Sequence, residues 1–357
     1  MEIRVKSGET SPQVMNEIFA ITTRGLETIS ANELATLPGV TVEKIAYRRI
    51  FASCQSSLAP LLSLRTVDDV FLYAATWSVI ERTRHTLSVL KAASAQLPLN
   101  GIVAQCEQIR TIPNPPTFSV TANFVGKRNY TTPEIKRACA AGIVERNHWV
   151  YSENDAEADL NVRIFIEGDT AVVGVRLGAQ SLAKRPYKQQ HVPGSLKPAV
   201  AAALLSFAGL TADTRILDPC CGAGTVVIEA RLGGATAWGG DTDWQAVTAA
   251  RFNAAQASVM VNIQRWDASA LPVAARSVDC VISNLPWGRA VSTDGSLKTL
   301  YQAICEEIQR VLASGGQTVL LTNLPDLVRF KYLKCDKQLE ISLFGQTPTM
   351  MVWTDRA

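Results

Sequence analysis

Four short segments in the later part of the chain hold residues whose types and spacing can do chemistry. In the first, Ile216-Leu217-Asp218 ends an apolar run and Pro219-Cys220-Cys221-Gly222-Ala223-Gly224-Thr225 follows. This reads as a strand, a glycine turn and the start of a helix. Gly222 and Gly224 let the backbone approach a ligand closely, with Cys220 inside the turn and Thr225 at the helix start. The free N–H groups of that helix suit a carboxylate, and Asp218 stands where it can meet an ammonium. About twenty residues further on, Gly239-Gly240-Asp241 places a carboxylate able to take both hydroxyls of a ribose. The competing reading of Asp241 is a cap on the next helix. Asp267, ending a third strand, can accept from an adenine amine, and the Ala268 N–H can meet a ring nitrogen. Three acidic strand ends in one sheet describe a nucleoside with an amino-acid tail.

The fourth segment is Ser283-Asn284-Leu285-Pro286-Trp287-Gly288. An exocyclic base amine is a poor nucleophile, because its lone pair is delocalised into the ring. Two acceptors that hold its hydrogens favour a more tetrahedral nitrogen. The Asn284 side-chain oxygen and the Leu285 carbonyl form such a pair. Pro286 restricts the residue before it and stiffens the loop. Trp287 offers a face on which a flipped base can stack. A plainer reading is a strand-ending turn with a buried tryptophan, and the glycine turn at Asp218 weighs against it.

These segments need elements to position them. From Lys197–Gly209, an alanine- and leucine-rich helix, onward, strands and helices alternate. Strands are expected at 215–218, 236–241, 261–267, 277–284, 317–322, 338–343 and 347–353. Such alternation predicts a doubly wound parallel sheet, and the last two strands suit an antiparallel hairpin around Phe344-Gly345-Gln346. Earlier in the chain, strands at 18–22, 40–45 and 50–54 with a helix at 25–37 make a small α+β unit. A middle block holds strands at 70–75 and 118–124, helices at 86–97 and from Thr132 to about His148, and a hairpin of 160–166 with 170–175. Thr132 is the expected N-cap of its helix, ahead of Pro133 and Glu134. The expected organisation is 1–64, 65–178, a linker at 179–195, and 196–357.

Composition narrows the partners. The net charge is only +3, but it is unevenly distributed. No acidic residue lies between Asp169 and Asp213, where Arg176, Lys184, Arg185, Lys188 and Lys197 all fall. Lys127-Arg128 and Lys136-Arg137 form a second basic cluster. Such patches suit RNA phosphates; the alternative is a solvated linker and a solvated helix face. Eight cysteines without a C-x-x-C pair, and three histidines, argue against a metal site, so none is expected. No stretch is apolar enough to span a bilayer, and the first residues lack a signal peptide's apolar run, so a cytoplasmic protein without membrane contact is expected.

Asp218 to Thr225 resembles motif I of class I methyltransferases, and Asn284 to Trp287 resembles motif IV of amino methyltransferases. Leu285 replaces the commoner proline of that motif, and the N-L-P-aromatic-G form is similar to that of THUMP-domain RNA guanine-N2 methyltransferases. The resemblance extends to Phe118–Phe124, the helix through Lys136-Arg137 and Asn161–Asp169, which look like a THUMP domain, and to a ferredoxin-like block before it. It implies an α/β, Rossmann-like class I methyltransferase domain preceded by α+β ferredoxin-like and THUMP domains. It also implies S-adenosyl-L-methionine as cofactor, tRNA as partner and a monomer. The expected product is N2-methylguanosine, with position six of the acceptor stem the favoured target. Pro193–Pro198 looks like the family segment that closes over the methyl donor, which adds Ser195 and Leu196 to its pocket. Arg289 becomes a candidate for the target phosphate or base. Activity on ribosomal RNA, or RNA binding without catalysis, are the alternatives; the THUMP-like block disfavours a DNA adenine methyltransferase.

Overall fold

The computed structural model describes residues 3–5, 15–210, 212–288 and 296–355. The chain divides into two compact units, Met1–Ile21 with Ala31–Leu182, and Thr22–Ser30 with Ala183–Ala357.

The first unit is built on one nine-stranded sheet. Its strands are β1 (Ile3–Val5), β2 (Asn16–Ile21), β3 (Val40–Ala46), β4 (Arg49–Cys54), β5 (Asp69–Trp77), β6 (Thr117–Phe124), β7 (Val150–Tyr151), β8 (Leu160–Glu167) and β9 (Thr170–Arg176). They run in the order β3-β4-β2-β5-β9-β8-β6-β7, with β1 beside β5. The two sequence blocks therefore share a single sheet, joined where β2 pairs with β5. The expected hairpin is present as β8–β9, closed by the two-residue turn Gly168-Asp169. Helices α2 (Thr86–Ser94), α3 (Leu99–Cys106) and α4 (Thr132–Asn147) belong to this unit, and Leu90, Ile102, Ile135 and Ile143 from them lie in the core with Leu72, Val120 and Ile164. Two expectations are corrected. The helix expected to reach Leu97 stops at Ser94, and α3, unforeseen, begins directly after Pro98, which cannot continue a helix. The cap of α4 is Thr131, one residue earlier than expected. Glu134 is three residues after Thr131, and its carboxylate accepts from the Thr131 N–H at 2.8 Å to complete a capping box.

The second unit is a seven-stranded sheet covered on both faces. Its strands are β10 (Arg215–Asp218), β11 (Thr236–Asp241), β12 (Asn262–Arg265), β13 (Val278–Asn284), β14 (Leu312–Thr322), β15 (Leu333–Glu340) and β16 (Thr349–Asp355). The order is β12-β11-β10-β13-β14-β16-β15, and only β16 runs against its neighbours. The expected terminal hairpin is β15–β16. β15 starts five residues earlier than its pattern suggested, because it is an edge strand whose charged residues face water. Alternate residues enter opposite cores: Ile216, Cys280 and Ile282 join α5 (Pro198–Phe207), α6 (Thr225–Leu232) and α7 (Trp244–Gln256), whereas Leu217 and Val281 join α8 (Ser296–Val311). α8 supplies Tyr301, Ile304, Cys305 and Ile308 at helical spacing, one apolar stripe against the sheet. Leu26 and Ile29, at the start of α1 (Glu27–Ala35), also lie in this unit's core. Among the described residues no helix is long and apolar enough to cross a membrane.

Candidate active site

Counted from β10, the strands of the second sheet run 3-2-1-4-5-7-6, so the order reverses between β10 and β13. Ligands of open α/β sheets bind outside the carboxyl ends of the strands at such a point. Asp218 ends β10 and Asn284 ends β13, one on each side of it. Asp241 ends β11, and Asp267 follows β12.

The glycine turn is drawn together by carboxylates. Gly224 is left-handed (φ 78°) and N-caps α6, a conformation costly to any residue with a Cβ. The Gly222 N–H donates to Asp241 Oδ2 at 2.9 Å. The competing role of Asp241, capping the next helix, is taken instead by Asp243, which accepts from the Gln245 N–H at 2.8 Å. Asp218 is buried, and one carboxylate oxygen accepts from Ser283 Oγ at 2.7 Å and from the Cys220 N–H at 3.2 Å. Burial pushes its pKa up to about 7 despite those bonds. Asp267 is exposed, held below its ordinary pKa by the Ser269 hydroxyl and N–H, and Ala268 beside it is buried. Cys220 and Cys221 have thiols raised by burial, so they are inert packing.

At the tip of β13 the side chain of Asn284 is fixed at both ends. Its Nδ2 donates to the Gly194 carbonyl at 3.3 Å, and its Oδ1 accepts from Trp287 Nε1 at 3.0 Å. A carboxamide oxygen accepts two hydrogen bonds, so one place is left for an amine hydrogen. The Leu285 N–H continues the ladder to Leu321, and the leucine side chain is buried. The Pro286 carbonyl accepts from Tyr301 Oη at 2.8 Å. Tyr301 itself sits 2.7 Å from Thr322 Oγ1, which accepts from the Leu324 N–H. Because the tyrosine proton goes to Pro286, the threonine must donate to Tyr301, and the chain of bonds has one direction. Trp287 is tied to the same tip. Its N–H orients Asn284, and its ring lies 6.2 Å from that of Phe344, tilted by 58°.

The segment before α5 lies across this region. Val192 stands 3.6 Å from where a Cβ on Gly222 would be. Asn253 of α7, fully buried, donates to the carbonyls of Gln190 and Ala223 and accepts from the N–H groups of Gln189 and Gln190. Tyr187 Oη donates to the buried Glu229 at 2.7 Å, and Arg185 pairs with the same carboxylate. Lys188 reaches inward to Thr225 and Leu196. Residues 185–196 are thus a strap packed on α6 and α7. Ser195 Oγ is buried in the strap without a hydrogen-bond partner, an orphaned polar atom.

The expected RNA-facing residues divide. Lys127, Arg137 and Lys184 are exposed and Lys136 half-buried. The guanidinium of Arg128 holds the carbonyls of Ile80, Glu81 and Gly168 and the hydroxyl of Tyr130, a structural tie. Arg185 and Lys188 are turned onto Glu229, Thr225 and Leu196. Arg289 lies outside the described residues. Ser283, Tyr301 and Asn253 escape sequence reasoning, because each meets the site through partners distant in sequence.

Comparison with known proteins follows the same division. A family model described as RMKL-like, methyltransferase domain, matches residues 185–338, and the THUMP domain model matches residues 104–176. This chain carries a THUMP domain and an RMKL-like methyltransferase domain. The methyltransferase domain includes both the strap and the tip of β13. The chain is 32% identical over 218 residues to a tRNA (guanine(6)-N2)-methyltransferase of Thermus thermophilus, covering 60% of this chain and 64% of that protein, just under two thirds of its length. It is 24% identical over 339 residues to a protein of the same name from Archaeoglobus fulgidus, covering 85% and 82%. The crystal structure of TrmN from Thermus thermophilus superposes with a TM-score of 0.77 at 25% identity, covering 96% of this chain and all of that one. The fold of residues 185–338 is that of a methyltransferase domain.

Proposed function

We propose that the chain transfers a methyl group from S-adenosylmethionine to the exocyclic N2 amine of a guanosine in tRNA. The observation that carries this reading is the tip of β13, where Asn284 Oδ1 and the Leu285 carbonyl stand across the switch point from Asp218 and the glycine turn. The names of the two relatives support the substrate and the position, guanine 6.

The residues present fit the donor. Its ribose suits Asp241, its adenine Asp267 and the Ala268 N–H, and its amino-acid tail the turn from Asp218 through Cys220, Gly222 and Gly224 to Thr225, under Ser195 and Leu196. When bound, it supplies an electrophilic methyl. The protein's part is to present the amine. Asn284, already oriented by Trp287 and Gly194, accepts one amine hydrogen, and the Leu285 carbonyl accepts the other. The nitrogen lone pair is thereby drawn out of conjugation. Positioning supplies much of the rate, and no strong base is required, because the proton leaves after transfer. Trp287 closes one side of the base.

The guanosine must leave its helix, at a cost of a few kcal/mol. Lys127, Lys136, Arg137 and Lys184 offer phosphate contacts toward that cost. The test is methyl transfer to tRNA carrying guanosine or inosine at position six. Inosine lacks the N2 amine and is expected to accept no methyl. Methylation of both, or of ribosomal RNA fragments alone, contradicts the reading.

A further inference from the structure

Lys188 has a geometry unlike that of an RNA-facing lysine. Its ammonium donates to the Leu196 carbonyl and, at 2.7 Å, to Thr225 Oγ1. Leu196 ends the strap, and Thr225 opens α6 immediately after the glycine turn. The ammonium therefore ties the strap to the start of the helix. An ammonium has three N–H donors, and two are used here. Among the described residues the third has no protein acceptor. Ser195, adjacent to Leu196, has a buried Oγ that also lacks a partner. The first turn of α6 adds backbone N–H groups without intrahelical acceptors.

The charge balance points the same way. Glu229 is the carboxylate whose field reaches Lys188, yet it already binds Tyr187 and Arg185. Burial lowers the Lys188 pKa to about 8, so at neutral pH a cation is held in a place that does not fully compensate it. A small anion satisfies the remaining donors and the charge together.

We propose that Lys188, with Ser195, binds the carboxylate of the donor's amino-acid tail, making the strap a wall of the donor pocket. This rests on the donor reading above. Lys188 then discriminates donors that carry an amino-acid tail from nucleosides that lack one.

The experiment is calorimetry of the full chain with two probes. S-adenosylhomocysteine carries the carboxylate; 5′-methylthioadenosine has the same nucleoside and thioether without the tail. For Lys188→Met the affinity for S-adenosylhomocysteine falls about 10- to 100-fold while that for methylthioadenosine stays within about twofold. Lys188→Gln, which keeps a donor toward Leu196 and Thr225 but no charge, gives the same pattern and serves where the methionine variant does not fold. Ser195→Ala gives a smaller loss in the same direction. Equal weakening of both probes assigns Lys188 a structural role and overturns the proposal, as does no weakening of either. A tRNA salt slope that drops by about one in Lys188→Gln returns the residue to the RNA surface and also overturns it. If the unsubstituted chain binds neither probe, the donor reading fails and takes this proposal with it.

Discussion

The hydroxyl of Ser283 donates to the buried carboxylate of Asp218 across 2.7 Å, joining the tip of β13 to the tip of β10. The strand that ends in Asn284 thus also orients the carboxylate of Asp218. Asp218 titrates near 7, because burial opposes its charge more than Ser283 and the Cys220 N–H support it.

This coupling sets a pH dependence. An ammonium placed near Asp218 favours the ionised form, so affinity for S-adenosylhomocysteine rises as pH passes upward through about 7. Ser283→Ala removes a bond that lowers the pKa, so the rise moves to higher pH. Asp218→Asn abolishes this component. Calorimetry between pH 6 and 8, about one unit on each side, reads all three. For stability the sign is opposite. The folded pKa lies above the unfolded one, so the folded state binds the extra proton, and this group's stabilisation is lost as pH rises from about 4 to 7. A donor affinity flat between about pH 6 and 8 in the unsubstituted protein contradicts the assignment.

Tyr301 fixes the loop that carries the Leu285 carbonyl. The Leu285 N–H is held by Leu321, the Pro286 carbonyl by Tyr301, and the proline ring restricts the torsion between them. Tyr301→Phe removes one bond without changing the packed ring. It should lower kcat about tenfold, near the worth of one buried hydrogen bond, while donor affinity and KM for tRNA stay put. Thr322→Val, one step further from the loop, should do less. A lower melting temperature with unchanged kcat reduces Tyr301 to a packing residue.

The basic residues separate by direction. Replacing Lys127, Arg137 and Lys184 with alanine should weaken tRNA binding and reduce the slope of log affinity against log salt by about 0.7–0.9 for each phosphate that is no longer neutralised. Arg128→Ala should instead lower thermal stability, since its guanidinium caps carbonyls inside the first unit. Unchanged salt slopes in the triple variant would remove these residues from the RNA surface.

What the sequence discloses follows from the range of each interaction. Asp218 through Thr225 is legible because strand, glycine turn and helix are adjacent, and their spacing alone makes a ligand cradle. Asn284 to Trp287 is legible for the same reason. Ser283 and Asp218 are 65 residues apart, and Tyr301 reaches Pro286 only through the return of α8, so neither pair leaves a local pattern. Lys188 shows a different limit. A basic residue in a run of basic residues carries no sign of which way it points, and Glu229, which draws the strap inward, lies one helix away. The cap of α4 falls one residue before its expected place because two threonines precede Pro133, and only Thr131 stands three before Glu134.

The most direct test of the central claim is Asn284→Ala, read by mass spectrometry of nucleosides from tRNA incubated with enzyme and labelled donor, alongside donor affinity. The account predicts that N2-methylguanosine forms with the unsubstituted chain and falls at least about 100-fold with the variant, while affinity for S-adenosylhomocysteine is nearly unchanged. Undiminished product, a methyl on another base, or equal loss of donor binding and transfer would contradict it.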